Sequence, residues 1–155
     1  MKIDRVLLVV PNLRWCQGDE STFWHFVPHN LCLLAAMVED LCEVEVLDAY
    51  IDDLTLEEFE AIVAERRPGL VGITVMMDQF AEAGHRAAKG AKRGCPEAKV
   101  VLGGVHVTVD PDEVMRDGRI DFAVCGEGEY VFRELLLFLQ GKAAFPQRGV
   151  CRREN

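Results

Sequence analysis

The sequence has 155 residues, 50% of them apolar and 28% charged, which is the balance of one globular domain with a substantial core. A formal net charge of −9 argues against a nucleic-acid-binding surface, which needs a basic stripe, and against an anionic membrane surface. No apolar run approaches the roughly 20 residues that span a bilayer, and the N-terminal run is too short for a signal peptide, so the expected location is the cytoplasm. Cys16, Cys32, Cys42, Cys95, Cys125 and Cys151 form no C-x-x-C pair. Several fall within apolar helix or strand patterns, as small buried hydrophobes do, and the set does not read as a disulfide framework or as the ligands of a zinc or iron–sulfur site.

In chain order, residues 5–10 form a continuous apolar run closed by Pro11, the pattern of a fully buried parallel strand. The long segment 11–28 has little periodicity but carries Trp15, Phe23, Trp24 and Phe26, too many aromatics for a solvated linker. Residues 29–41 place Leu31, Leu34, Ala35, Val38 and Leu41 on one helical face. A second strand spans 44–47 and ends at Asp48. Thr55 with Glu58 predicts a capping box opening a helix to about Arg67, which Pro68-Gly69 stops. A third buried strand covers 70–75. The segment 78–93 predicts a helix rich in Ala and Gly; Gly84 and Gly90 each cost about 1 kcal/mol there relative to Ala, which implies a packing reason. A fourth strand, 99–102, leads into Gly103-Gly104. Asp110-Pro111-Asp112-Glu113 opens a short helix, 121–125 is a fifth strand, and Val131, Phe132, Leu135, Leu136 and Leu139 give the last helix an apolar face. The tail from Gly141 has little pattern, although 149–152 reads as the start of another strand or of a linker.

Strands alternating with helices predict a three-layer, flavodoxin-like (Rossmann-like) α/β fold with a parallel five-stranded sheet in the order 2-1-3-4-5. Residues 1–141 are then the domain and 142–155 a tail or linker start. Ligands of such sheets bind outside the carboxyl ends of the strands. There the long aromatic loop, the turn after Thr74 and two glycine-bearing turns, Gly103-Gly104 and Gly126-Glu127-Gly128-Glu129, are expected to cluster. A dinucleotide site needs G-x-G-x-x-G after the first strand, but this chain has Pro11-Asn12-Leu13-Arg14 there. Gly126-Glu127-Gly128 lacks the third glycine, and its glutamates would repel a pyrophosphate. No Walker motif, receiver-type carboxylate cluster or flavodoxin-type phosphate loop is present.

With Thr74-Val75-Met76 in the position of an S-x-L motif and Gly103-Gly104 following at the expected interval, the chain resembles cobalamin-binding domains. GGVHVTVDP and IDFAVCGEGEYVFREL are similar, in particular, to the N-terminal cobalamin-binding domain of radical S-adenosylmethionine enzymes, a likeness that spans nearly the whole chain. The resemblance implies base-off cobalamin, with its nucleotide tail in a slot between sheet and helix that Gly103 and Gly104 open and the Ala/Gly helix lines. It also implies methyl transfer or a related radical reaction in the full enzyme, with the corrinoid supplying the chemistry. The D-x-H-x-x-G motif is missing, and Asn12, Leu13, Arg14, Trp15, Cys16 and Gln17 stand in its place, so no histidine lower ligand is expected. The cysteine triad for an iron–sulfur cluster is absent as well. S-adenosylmethionine and that cluster would therefore belong to a radical domain in cis or in trans.

The cofactor-contact residues implied are Asn12, Arg14, Trp15, Thr74, Val75, Met76, Gly103, Gly104, His106, Gly126, Glu127, Gly128 and Glu129. Several have plainer readings. Glu127 and Glu129 suit the positive end of the last helix as well as they suit a ligand. Gly103-Gly104 could be an ordinary turn, His106 a surface histidine or an amide contact, and the aromatic set a plug, an interface or a corrin lid. Arg14 is placed near the lower face of the cobalt by position alone. The alternative to a corrinoid module is a cofactor-free flavodoxin-like domain that binds a partner.

Overall fold

The computed structural model describes residues 3–16 and 27–153. Buried apolar runs form β1 (Arg5–Val10), β2 (Glu43–Asp48), β3 (Leu70–Thr74), β4 (Lys99–Gly103) and β5 (Phe122–Val124). These five strands pair in parallel in the order β2-β1-β3-β4-β5, the order expected. A sixth strand, β6 (Val150–Arg152), adds antiparallel to β5, so the sheet has six strands rather than five. Gly141 and Gly149, both at positive φ, turn the chain back toward the edge. Phe145 pins the connection by packing on Phe122 and Phe138, with the Arg152 guanidinium over its other face. This short, half-exposed edge strand is the first of the two readings of residues 149–152, strand start or linker, and its three residues leave little periodicity to read.

Among the described residues, six α-helices cover the sheet: α1 (His29–Val38), α2 (Leu56–Arg66), α3 (Ala81–Gly94), α4 (Val105–Val109), α5 (Pro111–Arg116) and α6 (Glu129–Leu139). The capping box forms at α2: Thr55 Oγ1 accepts from the Glu58 amide at 3.2 Å, and Glu58 Oε2 accepts from the Thr55 amide at 2.8 Å. Asp110 caps α5 by accepting from the Glu113 amide, with Pro111 in the first turn. Helix α4 was not foreseen, because its β-branched sequence VHVTV has poor helix propensity. Burial of His106 and Val107 holds it in place, together with a bond from the His106 amide to the Val75 carbonyl. Phe23, Trp24, His25 and Phe26 lie outside the described residues.

Strand alternation divides the core into two halves. Leu7, Val9, Val71, Ile73, Val100, Leu102 and Ala123 face one way and pack under α2, α3 and α5 with Phe59, Val63, Ala87, Ala91 and Val114. Val6, Leu8, Leu70, Val101, Phe122 and Val124 face the other way and meet Leu31, Val38, Phe132, Leu135 and Leu136 from α1 and α6. The Ala/Gly character of α3 belongs to the first half. A Cβ on Gly84 would stand 2.4 Å from Val75 Cγ2, one on Gly90 2.9 Å from the Phe59 ring, and one on Gly94 2.5 Å from the Glu60 carbonyl. These glycines let α3 seat against α2 and β3.

Candidate cofactor-binding cleft

A cleft of ≈420 Å3 opens at the carboxyl ends of β1, β3, β4 and β5, on the α1/α6 side of the sheet. The volume lies within the usual range of small-ligand pockets. Its inner walls are apolar, built from Leu8, Leu31, Leu34, Val101, Val124 and Phe132, with Gly72 in the β3 wall. Its mouth carries Asn30, Thr74, Thr108, Glu127 and Glu129. Met76, Val105 and Val109 also line it and stay more than half exposed, at 52%, 51% and 71%, which leaves an apolar rim around the opening.

Alternation along β3 sorts the predicted hydroxyl motif. Thr74 points into the cleft with Gly72, whereas Val75 turns to the opposite face and packs on α3. Thr74 is 6% exposed, and its Oγ1 accepts from Asn30 Nδ2 at 3.0 Å. The same amide nitrogen lies 3.4 Å from Met76 Sδ. Gly103 occupies the cleft-facing parity of β4, beside Val101; a Cβ there would meet Val124 at an ordinary 3.7–3.9 Å. Gly104 differs. Its φ is +109°, and a Cβ would stand 2.4 Å from the Val75 carbonyl oxygen, so glycine is needed for the turn to approach β3 at all.

Thr108 joins the two glycine turns, since its Oγ1 donates to the Gly104 carbonyl at 3.0 Å and accepts from the Gly126 amide at 2.9 Å. Gly128 opens α6 with no side-chain cap, and Glu129 stands in its first turn. The structure thus gathers Thr74, Met76, Gly103, Gly104, Gly126, Glu127, Gly128 and Glu129 around one opening. The sequence reading missed Asn30 and Thr108, whose roles depend on which helix lies over which strand. It also gave the slot the wrong helical wall. The Ala/Gly helix α3 lies across the sheet from the cleft, and α1 and α6 line it instead.

The remaining predicted residues are engaged elsewhere. Asn12, 2% exposed, donates to Asp53 Oδ1 at 3.3 Å and the Leu54 carbonyl at 3.1 Å, and accepts from the Arg14 amide. Arg14 pairs with Asp53 and lies over the Tyr50 ring; hydrogen bonds from Arg14, then Asn12, hold the Asp53 carboxyl below its ordinary range. Trp15 donates to the Leu54 carbonyl at 2.8 Å and packs on Phe59. His106, a residue of α4, is 2% exposed, with Nδ1 2.5 Å from Asp78 Oδ1 and its ring roughly perpendicular to that of His85. Cys125 faces away from the cleft; burial first, then the Cys151 thiol, push it up to about 11, leaving it protonated and a poor metal ligand. Among the described residues no group of three His, Cys, Asp or Glu side chains could hold a metal ion.

A doubly wound sheet with an apolar cleft at its carboxyl edge defines an α/β ligand-binding domain. The chain belongs to the B12 binding domain family, whose pattern matches residues 25–136. It is 36% identical to an uncharacterised methyltransferase of Pyrococcus horikoshii, over 100% of this chain and 34% of that protein. It is 27% identical to the cytidylyl-2-hydroxyethylphosphonate methyltransferase of Streptomyces wedmorensis, over 92% of this chain and 30% of that one. Among solved structures, the radical S-adenosylmethionine methyltransferase TsrM of Kitasatospora setae, with cobalamin and an iron–sulfur cluster bound, superposes with a TM-score of 0.80 at 27% identity, covering 98% of this chain and 29% of TsrM. The cobalamin-dependent radical enzyme OxsB shares the fold, at 18% identity and a TM-score of 0.73 over 96% of this chain and 20% of OxsB. The chain therefore spans about a third of the curated relatives it matches. It is a cobalamin-binding module of the type found in cobalamin-dependent radical S-adenosylmethionine enzymes.

The donor set fits this cofactor. The corrin is a broad apolar disc fringed by neutral amides, suited to the rim of Met76, Val105 and Val109. Glu127 and Glu129 can accept from fringe amides, and the walls of the slot suit an uncharged aromatic base.

Proposed function

We propose that this chain is the corrinoid module of a cobalamin-dependent radical S-adenosylmethionine enzyme that carries out methyl transfer or related radical chemistry. A radical domain supplied in cis or in trans would hold S-adenosylmethionine and the iron–sulfur cluster. The observation that carries the reading is the cleft itself, at the carboxyl edge and walled by Thr74, Gly103 and the α6 turn. When bound, the corrinoid supplies the reactive cobalt; this chain's residues bind and orient it. The slot between the sheet and α1/α6 would hold the nucleotide tail, as base-off cobalamin would require. The Gly103-Gly104 and Gly126-Glu127-Gly128-Glu129 turns, with Met76, form the seat at the disc edge. Arg14, tied to Asp53 by the carboxyl end of β1, stands at the sheet edge without donating an imidazole.

A cytoplasmic location belongs to the same proposal. Cys32, Cys42, Cys95, Cys125 and Cys151 form no disulfide, and no helix of the described residues is long and apolar enough to cross a membrane. The test is to incubate the purified chain with hydroxocobalamin, separate it by gel filtration and record the visible spectrum. Corrinoid absorbance with the base-off form should travel with the protein. A protein peak free of corrinoid in both oxidised and reduced samples overturns the reading.

A further inference from the structure

Helix α4 carries part of the cleft mouth, and its own sequence does little to hold it there. VHVTV has poor helix propensity, the helix is five residues long, and Gly104 opens it without a side-chain cap. Ties on two sides hold it instead. Thr108 Oγ1 accepts from the Gly126 amide at 2.9 Å, toward the α6 turn. His106 bonds the segment after β3 twice: its amide donates to the Val75 carbonyl at 3.3 Å, and its Nδ1 lies 2.5 Å from Asp78 Oδ1. Val105 and Val109 of this helix stand exposed and, with Met76, make the apolar rim. The two partners of the side-chain tie have opposite surroundings, since the His106 side chain is 2% exposed and that of Asp78 77%. His106 Nε2 is buried with no partner among the described residues. His85, whose ring stands roughly perpendicular 6.2 Å away, uses its own Nδ1 on Asp117. An N–H at Nε2 of His106 would be buried without an acceptor, so this setting favours the tautomer that carries its proton on Nδ1 and donates it to Asp78.

We propose that His106 and Asp78 are a positioning pair for the corrin ring: their bond fixes α4 against the segment after β3 and so sets the spacing of Val105 and Val109 from Met76. This rests on the cobalamin reading above. His106 acts through the rim and not by touching the cofactor. Asp78 opens the short 3-10 turn Asp78–Phe80, which leads into α3 and is held by the buried Phe80, so the tie has a firm anchor. An apolar rim seats the disc that all corrinoids share. The effect of the pair therefore falls on ring binding and not on the nucleotide tail.

The experiment compares dissociation constants for hydroxocobalamin and for cobinamide, which has the corrin ring but no nucleotide, and adds amide hydrogen exchange in the ligand-free chain. It uses Asp78→Ala, His106→Asn and His106→Gln, and Asp78→Ala combined with each His106 change. An asparagine amide can take the place of Nδ1 and keep the bond, whereas a glutamine amide reaches the place of Nε2 and loses it. Asp78→Ala and His106→Gln should weaken both corrinoids by the same factor, about fivefold to tenfold. Both should also speed exchange at the Thr108 and Asp110 amides, which close α4 on the Gly104 and His106 carbonyls. Because the Asp78 side chain is exposed, Asp78→Ala should melt within a few degrees of the unmodified chain. His106→Asn should keep near-normal affinity and exchange, and its advantage over His106→Gln should vanish once Asp78 is alanine. Equal behaviour of the two His106 variants with Asp78 present overturns the inference, because burial alone then accounts for the histidine. So does unchanged affinity in Asp78→Ala, and so does a loss confined to cobalamin. Failure of the unmodified chain to hold either corrinoid would instead overturn the functional reading, and exchange measured without ligand keeps the two failures apart.

Discussion

Adjacent glycines at the end of β4 have different jobs, and the difference can be measured. Gly104 is fixed by backbone: its φ is +109°, and any Cβ would collide with the Val75 carbonyl. Gly104→Ala should therefore cost about 2–4 kcal/mol of stability, read as a lowered melting temperature before any ligand is added. Gly103 has no such constraint, and a side chain there would project beside Val101 into the cleft. Gly103→Val should melt within a few degrees of the unmodified chain yet fail to retain cobalamin. Equal retention by the Gly103 variant would remove that residue from the binding surface. The sequence could show that a Gly-Gly turn stood at the right edge. It could not show which glycine serves the ligand, because that depends on which face each Cβ would take and on how closely β3 approaches. Strand parity was available, however. Applied to residues 70–75, it would have sent Val75 to the face opposite Thr74. Asn12 and Trp15 stood near the edge by position, and only the path of the β2–α2 connection shows their side chains committed to Leu54.

Where elements meet, the legible features were those set by local chemistry. The capping box of α2 and the Asp110-Pro111 start of α5 depend on neighbours in sequence and formed as read. The partner of α3 was not local; its glycines suggested a close approach without naming α2 and β3 as the surfaces approached. The ion-pair cluster at the carboxyl end of α5 was invisible for the same reason. Asp117 accepts from Arg119 Nε and Nη2, each at 2.7 Å, from the Arg119 amide, and from His85 of α3 at 2.7 Å. Burial alone would raise its carboxyl; the Arg119 and His85 hydrogen bonds outweigh burial and hold it at about 2, below the ordinary 3.8. A value depressed in the folded state stabilises the fold above the unfolded value, and that stability is lost as pH falls from about 4 to about 2, to the extent of roughly 2 kcal/mol. Asp117→Asn should flatten this part of the acid-denaturation profile. An unchanged slope between pH 4 and 2 would show that the cluster contributes nothing.

For the molecule as a whole, the sheet separates a side that carries the cleft from a side that is closed. The half-core under α2, α3 and α5 is continuous, whereas the half under α1 and α6 is interrupted at the carboxyl edge by the cleft. A ligand that binds only the folded state stabilises it by mass action, about 2.7 kcal/mol at a hundredfold excess over its dissociation constant. For a domain of this size that corresponds to a rise in melting temperature of about 5–10 °C. The rise should be smaller for cobinamide, which leaves the slot unfilled. The distribution of the effect discriminates further. If the tail lies between the sheet and α1/α6, amide hydrogen exchange should slow in α1, in the first turn of α6 and in the Gly103–Gly104 and Gly126–Gly128 turns, while α2 and α3 change only by the global increment. Because α1 lies against α6 and over β1, and Arg133 of α6 bonds the Met37 carbonyl and Asp40 at the far end of α1, those two helices should respond together. Protection centred on α3 would place the tail on the opposite face of the sheet and refute the assignment of the cleft, even if the melting temperature rose as expected.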